Sequence, residues 1–320
     1  MHNFTLRQLE TIREVGKCGT MVKAAKVLCV TPAALTSRVK LLEEDLGLEL
    51  FERFEGRLRL TDAGKEVVAA AARIDNVMAD LLETLHGKSG QLSGRIRIST
   101  VTTAKYFVPR LIAAFMRQYP RVDLRLSIGN RSEVASSLRD YEADIALMGR
   151  PPEDFAVESQ PIGPHPNVMI ARPDHPLAGK AHISKRELVG QNFIVREQGS
   201  GTRSMFDYFF SGLSMRSDKV RIEIASNETI KQAVMAGLGL SLISAHTIEA
   251  EVASGRLAIL DVDGLPIIRE WYAIHRSDRV LSQAGRAMWN FMVTAGHEFL
   301  PKAQTGLGER AKPPSPQKSP

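Results

Sequence analysis

Three segments near the start of the chain carry apolar residues at the spacing of an α-helix, and they cover residues 5–16, 21–28 and 32–46. In the third, Thr31 can cap the helix and Pro32 takes the first helical position, where a missing backbone N–H costs nothing. Its apolar stripe leaves an outer face of short, hydroxylated and basic side chains. The pattern predicts three closely packed helices with a polar, positively charged surface on the last one.

That outer face has the composition of a DNA recognition helix, whose N-terminal half lies in the major groove. Short hydroxylated side chains can reach base edges or phosphates, basic side chains can neutralise phosphates, and a helix N-terminus favours an anion. The predicted DNA contacts on this helix are Thr31, Pro32, Ala33, Thr36, Ser37, Arg38 and Lys40. The alternative is a generic pair of packed helices, because every soluble helix needs a polar face.

The stretch after the third helix has the pattern of two short strands, residues 48–54 and 57–61, joined by a tight turn. Together with the helices it predicts a winged helix-turn-helix over residues 1–61. Arginines on a wing commonly meet the DNA backbone or the adjacent minor groove. Arg53 and Arg57 are therefore added to the predicted DNA contacts.

Residues 62–87 predict one long helix, about 37 Å in length at 1.5 Å per residue. Its apolar residues follow alternating spacings of four and three, which is typical of a short coiled coil. This stripe consists of Val67, Ala71, Ile74, Met78, Leu81 and Leu85. The helix either lies on its own domain or joins two chains, and the flexible, glycine-containing stretch after it favours a dimerisation helix.

From residue 92 onward strands alternate with helices, which predicts an α/β fold with parallel sheets. Two such sets follow one another, and the chain then returns to the first. This resembles the fold of periplasmic binding proteins, with a ligand cleft between two lobes. The expected boundaries are 92–163 with 268–300 for the first lobe, 167–263 for the second, and crossings near 163–167 and 263–268.

In open α/β sheets, ligands bind outside the carboxyl ends of the strands, beside helix N-termini. Polar and basic residues cluster at these predicted ends, and the segment GSGTR offers backbone N–H groups and hydroxyls that suit a phosphate or carboxylate. The predicted ligand-binding residues are Thr100, Thr102, Thr103, Asn130, Arg131, Arg150, Arg196, Ser200, Gly201, Thr202, Arg203 and Asn227. A lone Gly-Ser-Gly is more often just a turn, so the hypothesis depends on its position at the cleft.

The chain of 320 residues has a formal net charge of +6, and part of this charge is concentrated at its start. Residues 1–40 hold seven lysines and arginines against two acids, which favours a polyanionic partner. Residues 301–320 add positive charge, but their proline and lysine content predicts disorder. The two cysteines are not spaced like a zinc site, so neither a metal site nor a tightly bound cofactor is expected.

No apolar run reaches the roughly 18 to 20 residues that span a bilayer, so a cytoplasmic protein without a membrane partner is expected. Enzyme classes fit poorly, because there is no Walker lysine and no GxGxxG after a strand, and His165, His175 and His182 are predicted to lie in loops without a nucleophile. No catalytic residue is predicted. A stand-alone small-molecule binding protein is the competing class, but it would need neither the winged domain nor the coiled-coil stripe.

The segments LRQLETIREV, LLEEDLGLELFER and LTDAG resemble, in order and spacing, the N-terminal signature of the LysR-type transcriptional regulators. The resemblance implies a regulator that binds double-stranded DNA at an interrupted inverted repeat, as a homodimer or a tetramer, and responds to a small effector. One departure lies in the recognition helix. Where the family usually has Ser-Arg, this chain has Thr36 and Ser37 followed by Arg38. The sequence therefore does not decide which side chains read bases.

Within that family, stretches such as TTAKYFVPRLIAAF and FIVREQGSGTR are similar to the regulators of RuBisCO operon (Calvin-cycle) genes. This resemblance implies an activator with a reversible anionic effector, either a phosphorylated sugar or acid or a nicotinamide nucleotide. A LysR-type regulator of another carbon pathway is the alternative. The target promoter, the sign of the effector response and the choice between dimer and tetramer stay open.

Overall fold

The structure of the chain is a computed structural model that describes residues 5–54, 56–86, 92–212 and 220–302. Two compact units make up the chain, residues 1–90 with 140–142 and residues 91–139 with 143–320. Most of the glycine-containing stretch predicted to be flexible, which follows residue 86, lies outside the described residues. Nearly all of the predicted disordered tail, residues 301–320, lies outside them as well. None of the described helices is long and apolar enough to cross a membrane.

The first unit contains a helical bundle and a hairpin. Its described elements are α1 (Leu6–Cys18), α2 (Met21–Val27), α3 (Pro32–Leu46), β1 (Phe51–Phe54), β2 (Arg57–Leu60) and α4 (Asp62–His86). The two strands pair antiparallel, with Phe51 opposite Leu60 and Phe54 opposite Arg57. The predicted winged helix-turn-helix is confirmed, and the element boundaries differ from the predicted ones by a few residues at most.

Capping residues fix the two ends of α3, and a glycine allows the close packing of α4 that follows the hairpin. The Thr31 hydroxyl accepts a hydrogen bond from the Ala34 backbone N–H at 3.2 Å, and Gly47 ends the helix with a φ of 67°, a left-handed conformation that favours glycine. Near the start of α4, a Cβ on Gly64 would lie 2.1 Å from the Leu50 carbonyl oxygen. The close approach of α4 to the chain before β1 therefore depends on the glycine in LTDAG.

The second unit alternates strands with helices. Its described elements are β3 (Ser93–Val101), α5 (Val108–Gln118), β4 (Arg121–Gly129), α6 (Arg131–Arg139), β5 (Ile145–Met148), β6 (Val157–Ala171), α7 (Lys185–Val189), β7 (Phe193–Val195), α8 (Gly201–Phe209), β8 (Val220–Glu223), α9 (Asn227–Met235), β9 (Ser241–Ser244), α10 (Glu249–Ala253), β10 (Ala258–Ile259), β11 (Ile267–Arg276) and α11 (Gln283–Ala295). A 3₁₀ turn, Thr102–Tyr106, follows β3 directly.

One mixed sheet runs through both lobes of this unit, in the order β10-β6-β11-β5-β3-β4, with β9 also paired to β6. As predicted, β3 is parallel to β4 and β5, and β7 is parallel to β8. β11, however, is antiparallel to both β5 and β6. The prediction of parallel sheets is therefore right for the pairs of β3 and β7, but the predicted short crossings are wrong, because the lobes are joined by two long antiparallel strands, β6 and β11.

The prolines of β6 explain this error. Pro161, Pro164 and Pro166 suggest a loop in the sequence, yet each of them is paired with a residue of β11. Along this stretch no described strand pairs with the other edge of β6, since β9 and β10 begin their pairing at residue 167 or later. Proline is tolerated at an open edge, where its missing N–H breaks no ladder hydrogen bond.

Each lobe has its own apolar core. The first lobe packs around Phe107, Phe115 and Trp271, all of them fully buried. In the second lobe, separate apolar clusters form around Phe193 and around Ile194. The two-lobed α/β fold is thus confirmed, with β6 and β11 running between two separately packed cores.

Candidate DNA-binding surface and effector cavity

The predicted DNA contacts of α3 lie mainly on its solvent-facing side. The exposed ones are Thr31, Pro32, Ala33, Ser37 and Lys40, and the half-buried ones are Thr36 and Arg38. The Thr36 hydroxyl donates to the Pro32 carbonyl at 2.9 Å, so its hydrogen is already used inside the helix. The Ser37 hydroxyl has no hydrogen bond to a described residue, which makes it the better placed of the two to contact DNA.

Positive charge on this surface is not balanced by described residues. Lys40, Arg53 and Arg57 are exposed, and none of them forms an ion pair within the described chain. Arg59 lies over the exposed ring of Phe54, with its guanidinium carbon 5.8 Å from the ring centroid. Because unpaired cations attract the phosphate backbone, the helix and the hairpin together form a surface that suits DNA.

The apolar stripe of α4 divides into two parts. Val67 packs against the core of the winged domain, and Arg13 of α1 forms an ion pair with Asp75, so the first part of α4 lies on its own domain. Farther along, Met78 and Leu81 are 41% and 48% exposed. The side chain of Leu85 lies outside the described ones. The second part of the stripe therefore leaves apolar side chains uncovered by the described chain.

A cavity of about 360 Å³ lies between the two lobes of the second unit. It opens at the ends of β3, β4 and β5 and at the N-terminus of α8. Nine of the twelve predicted ligand-binding residues line it: Thr102, Thr103, Asn130, Arg131, Arg150, Arg196, Ser200, Gly201 and Thr202. Both lobes contribute to this set, so one bound molecule can touch both; ligand contact by these residues stays a prediction.

Thr100 and Arg203 lie outside the lining and have partners within the fold. Thr100 is fully buried, and its hydroxyl donates to the Leu147 carbonyl at 3.1 Å. Arg203 forms ion pairs with Asp207 at 3.2 Å and with Glu223 at 2.8 Å. Thr100 is the last residue but one of β3 and Arg203 is turned toward β8, so the structure places both outside the cavity lining, and their ligand contact stays a prediction.

Arg196 is the centre of the polar network beside the cavity and is only 2% exposed. It donates to both carboxylate oxygens of Glu197, at 2.7 and 2.9 Å, and to the Thr102 hydroxyl of the other lobe at 3.2 Å. Its Nη1 donates to Asn227 Oδ1 at 2.6 Å. Asn227 therefore does not line the cavity itself but holds Arg196, which does, and its own ligand contact stays a prediction.

The other three arginines of the cavity differ in how far their charge is balanced. Arg150 forms an ion pair with Glu153, whereas Arg131 donates to a backbone carbonyl at 3.3 Å and Arg269 lies over the ring of Tyr208 at 5.8 Å. Within the described chain, neither Arg131 nor Arg269 forms an ion pair, although Arg131 is close enough to Asp154 to help lower the pKa of that carboxyl. They are the positive charges left for an anionic ligand. The sequence prediction missed Arg269, because the segment that forms the start of β11 was expected to be a crossing between the lobes and not part of the cleft.

His165 also lines the cavity, which corrects its prediction as a loop residue, since it lies on β6. Its ring is stacked on Trp271 with 4.0 Å between centroids, and its Nε2 lies 3.0 Å from the Ser244 hydroxyl. Trp271 Nε1 donates to Nδ1 of His246 at 3.1 Å. Burial lowers the pKa of His165 to about 3 and that of His246 to about 4, so both rings are neutral at pH 7.

A second contact joins the lobes beside the cavity. Lys105 Nζ donates to the Glu228 carboxylate at 2.5 Å, and the Tyr106 hydroxyl donates to the other oxygen of the same carboxylate. Although burial raises the pKa of Glu228, these hydrogen bonds lower it to about 2. The 3₁₀ turn that brings Thr102 and Thr103 to the cavity is thereby anchored to the N-terminus of α9. No local sequence pattern indicated this contact.

Sequence models of two protein families match the chain and together cover both units. Residues 6–65 match the bacterial regulatory helix-turn-helix proteins of the lysR family, and residues 89–296 match the LysR substrate binding domain. This chain belongs to the LysR family. The predicted family is confirmed, and the chain is a DNA-binding transcriptional regulator with an effector-binding domain rather than an enzyme.

Relatives of this LysR-family chain carry more specific names. The HTH-type transcriptional regulator CbbR of Sinorhizobium medicae is 47% identical over 94% of this chain and 96% of its own length. The RuBisCO operon transcriptional regulator of Allochromatium vinosum is 39% identical over 91% of this chain and 96% of its own length.

Two solved structures extend the comparison. The CcmR regulatory domain of Synechocystis PCC6803, in complex with 2-PG, is 39% identical with a TM-score of 0.60, and the match covers 62% of this chain and 95% of that one. A full-length OxyR variant of Pseudomonas aeruginosa is 22% identical with a TM-score of 0.70, over 95% of this chain and 100% of that one. The second likeness shows that the fold is shared along nearly the whole chain.

Proposed function

We propose that this LysR-family chain activates RuBisCO operon (Calvin-cycle) genes in response to an anionic metabolite. The observation that carries the proposal is a cavity between two lobes with unpaired arginines, in a chain that is 39% to 47% identical to CbbR and RuBisCO operon regulators over most of its length. A regulator of another carbon pathway is the alternative. It would keep the DNA-binding surface and bind a different ligand.

The size of the cavity favours a small phosphorylated sugar or acid over a nicotinamide nucleotide. Ligand pockets commonly hold about 300 to 1,000 Å³, and this cavity of about 360 Å³ is at the lower end. A nicotinamide dinucleotide is more than twice as large as a sugar bisphosphate and would extend well outside it. Arg131, Arg269 and the N-terminus of α8 would bind the phosphate or carboxylate groups. The related CcmR domain, whose structure is a complex with 2-PG, supports a small ligand.

Calorimetric titration of the full chain tests the ligand. The panel contains ribulose 1,5-bisphosphate, 3-phosphoglycerate and reduced nicotinamide nucleotides, and we expect the sugar bisphosphate or the phosphorylated acid to bind. Arg131→Gln should weaken binding, because it removes an unpaired charge at the cavity. Arg117→Gln is the matched control, since Arg117 is exposed on α5 and does not line the cavity. Binding of none of these compounds, or equal losses in both variants, would contradict the proposal.

We further propose that the chain acts as a homodimer, which pairs into a tetramer, on an interrupted inverted repeat. The uncovered part of the stripe on α4, with Met78 and Leu81, fits contact with a second copy, and a two-fold protein needs a two-fold DNA site. Leu81→Asp would bury a charge in that contact at a cost of several kcal/mol, so dimer and operator binding should be lost together.

Sedimentation and DNA footprinting measure these two effects, and Leu81→Met, which keeps the apolar volume, should behave as the wild type. A stable dimer of Leu81→Asp would show that the contact lies elsewhere. Mapping the sites occupied in the genome of the source organism tests the target genes. Absence of the RuBisCO operon promoter from these sites would favour the alternative pathway.

A further inference from the structure

The arginines of the cavity can bind the anionic groups of a ligand, but the cavity is also lined by neutral polar residues that have no such role. The part of the lining that they form is called the floor below. β6 contributes two such residues to the lining, His165 and Asn167. They are two positions apart on a strand and therefore point to the same face. Their exposed fractions are only 8% and 3%. Buried polar groups are nearly always hydrogen-bonded, so their remaining atoms indicate which ligand groups the floor can bind.

One ring nitrogen of His165 is held by the protein and the other is open. Nε2 lies 3.0 Å from the Ser244 hydroxyl, and the stacking on Trp271 fixes the plane of the ring. Nδ1 has no hydrogen-bond partner among the described residues. It faces Gly149, where a Cβ would stand only 2.9 Å away. The absence of a side chain at Gly149, directly after β5, leaves Nδ1 accessible from the cavity.

Asn167 is fixed in a similar way. Its Nδ2 donates to the backbone carbonyl of His165 at 3.1 Å, which sets the orientation of the amide. Its Oδ1 has no donor partner in the described part of the chain. An amide oxygen is an acceptor only, so it requires an O–H or N–H group from a ligand or water.

We propose that His165 and Asn167 bind hydroxyl groups of the effector and make this chain prefer a hydroxylated phosphate ester over one with the same charges and no hydroxyl. A hydroxyl both donates and accepts, so it suits Nδ1 in either tautomer of the ring and can donate to Asn167 Oδ1. An ionised phosphate accepts only and cannot donate to Asn167. The inference rests on the proposed function, because it assumes a small phosphorylated effector in this cavity.

The electrostatics of the floor agree with this division. Burial keeps His165 neutral at pH 7, so the ring adds no positive charge for a phosphate. Among the described residues that line the cavity, Arg131 and Arg269 are the arginines without an ion-pair partner. The arginines therefore bind the charged ends of the ligand, while the floor binds its uncharged body.

Calorimetric titration of the full chain with two matched probes tests the proposal. Ribitol 1,5-bisphosphate and pentane-1,5-diol bisphosphate carry the same two phosphates on a five-carbon chain and differ only in the three hydroxyl groups of ribitol. Sites built to hydrogen-bond a hydroxyl discriminate strongly against analogues that lack it, so we expect the ribitol probe to bind at least about tenfold more tightly. In His165→Phe this ratio should fall below about threefold, because the affinity for the hydroxylated probe should fall by more than the affinity for the diol bisphosphate.

His275→Phe is the matched control. His275 is also a buried histidine beside a tryptophan, with 4.5 Å between its ring centroid and that of Trp289, but it does not line the cavity. The ratio should stay at its wild-type value in this variant. A drop as large as that of His165→Phe would mean that any buried histidine in the domain affects selectivity, which would contradict the inference.

Gly149→Ala is a second route to the same atom and covers the case in which His165→Phe fails to fold. Its Cβ would come too close to Nδ1 and would cover it, so the ratio should fall as well. Equal affinities of the wild type for both probes, or an unchanged ratio in His165→Phe and Gly149→Ala, would overturn the inference and leave the proposed function intact. Failure of both probes to bind the wild type would overturn the inference, and the proposed function would also fall only if none of the compounds of the earlier panel bound.

Discussion

The positive charges of the DNA-binding surface and the buried Arg196 at the effector cavity are held in opposite ways. On α3 and the hairpin, Lys40, Arg53 and Arg57 are exposed and have no described carboxylate partner. At the cavity, Arg196 is buried and held by Glu197 through two hydrogen bonds. Exposed cations attract a polyanion and are screened by salt, whereas a buried pair is rigid and costly to break. The first surface should therefore tolerate single substitutions that the cavity does not.

Removal of Arg196 should have the largest effect. In Arg196→Ala the carboxylate of Glu197 loses its partner in a mostly buried site, and the free energy of unfolding should fall by about 3–5 kcal/mol. Effector binding should be lost at the same time, because the link to Thr102 disappears. Denaturant unfolding and calorimetry measure the two effects. Arg117→Ala, which removes an exposed arginine, should leave both unchanged, and an equal unfolding midpoint for the two variants would contradict the comparison.

Acid should destabilise the folded chain through two buried, neutral histidines, one in the cavity lining and one beside it. His165 and His246 have pKa values of about 3 and 4 in the folded chain, against an ordinary value of 6.5. Between these values the unfolded chain binds protons that the folded chain does not, so the stability present above pH 6.5 is lost as the pH falls. Each histidine should contribute a slope of about 1.4 kcal/mol per pH unit over this window.

Urea unfolding at pH 7, 6 and 5 measures this slope. The carboxylates with lowered pKa values, such as Glu187 and Glu228, lose their contribution only below their ordinary value of 4.5 and do not interfere. His165→Phe should have a smaller slope than the wild type by the share of one histidine. A slope that is equal in the two proteins would show that His165 already carries a proton at pH 6.

Loss of one wing cation should have a moderate effect that is independent of sequence. Arg57→Ala removes one exposed charge that no described residue pairs, so affinity should fall to the same extent for operator and unrelated duplex, and the slope of log K against log salt should fall by about 0.9. Lys65→Ala is the control, because Lys65 on α4 is paired with Asp62 at 2.7 Å and should not contribute to the slope. A loss confined to the operator would indicate that Arg57 reads bases instead.

Sequence reasoning found features with a local cause and missed those made by distant residues. The cap at Thr31, the stop at Gly47 and the polar ends of the first strands are visible within a few residues of the chain. The contact between Tyr106 and Glu228 spans 122 residues, and no periodicity indicates it. His165 was misjudged because neighbouring prolines suggested a loop, and only the pairing with β11 shows that this segment is an open sheet edge.

The smallest effect is expected for Arg203, which the sequence had placed in the ligand site because it follows the GSGTR glycines. In the structure its ion-pair partners, Asp207 and Glu223, are about half exposed, and pairs of this kind contribute only about 0–1 kcal/mol each. Its further bond, to the Arg196 backbone carbonyl at 3.2 Å, does not hold the Arg196 guanidinium. Arg203→Ala should therefore lower the free energy of unfolding by about 1 kcal/mol and change effector affinity by less than about threefold. Calorimetric titration of Arg203→Ala and Arg196→Ala with the effector compares their affinities. A comparable loss of binding in both variants would mean that Arg203 contacts the ligand after all.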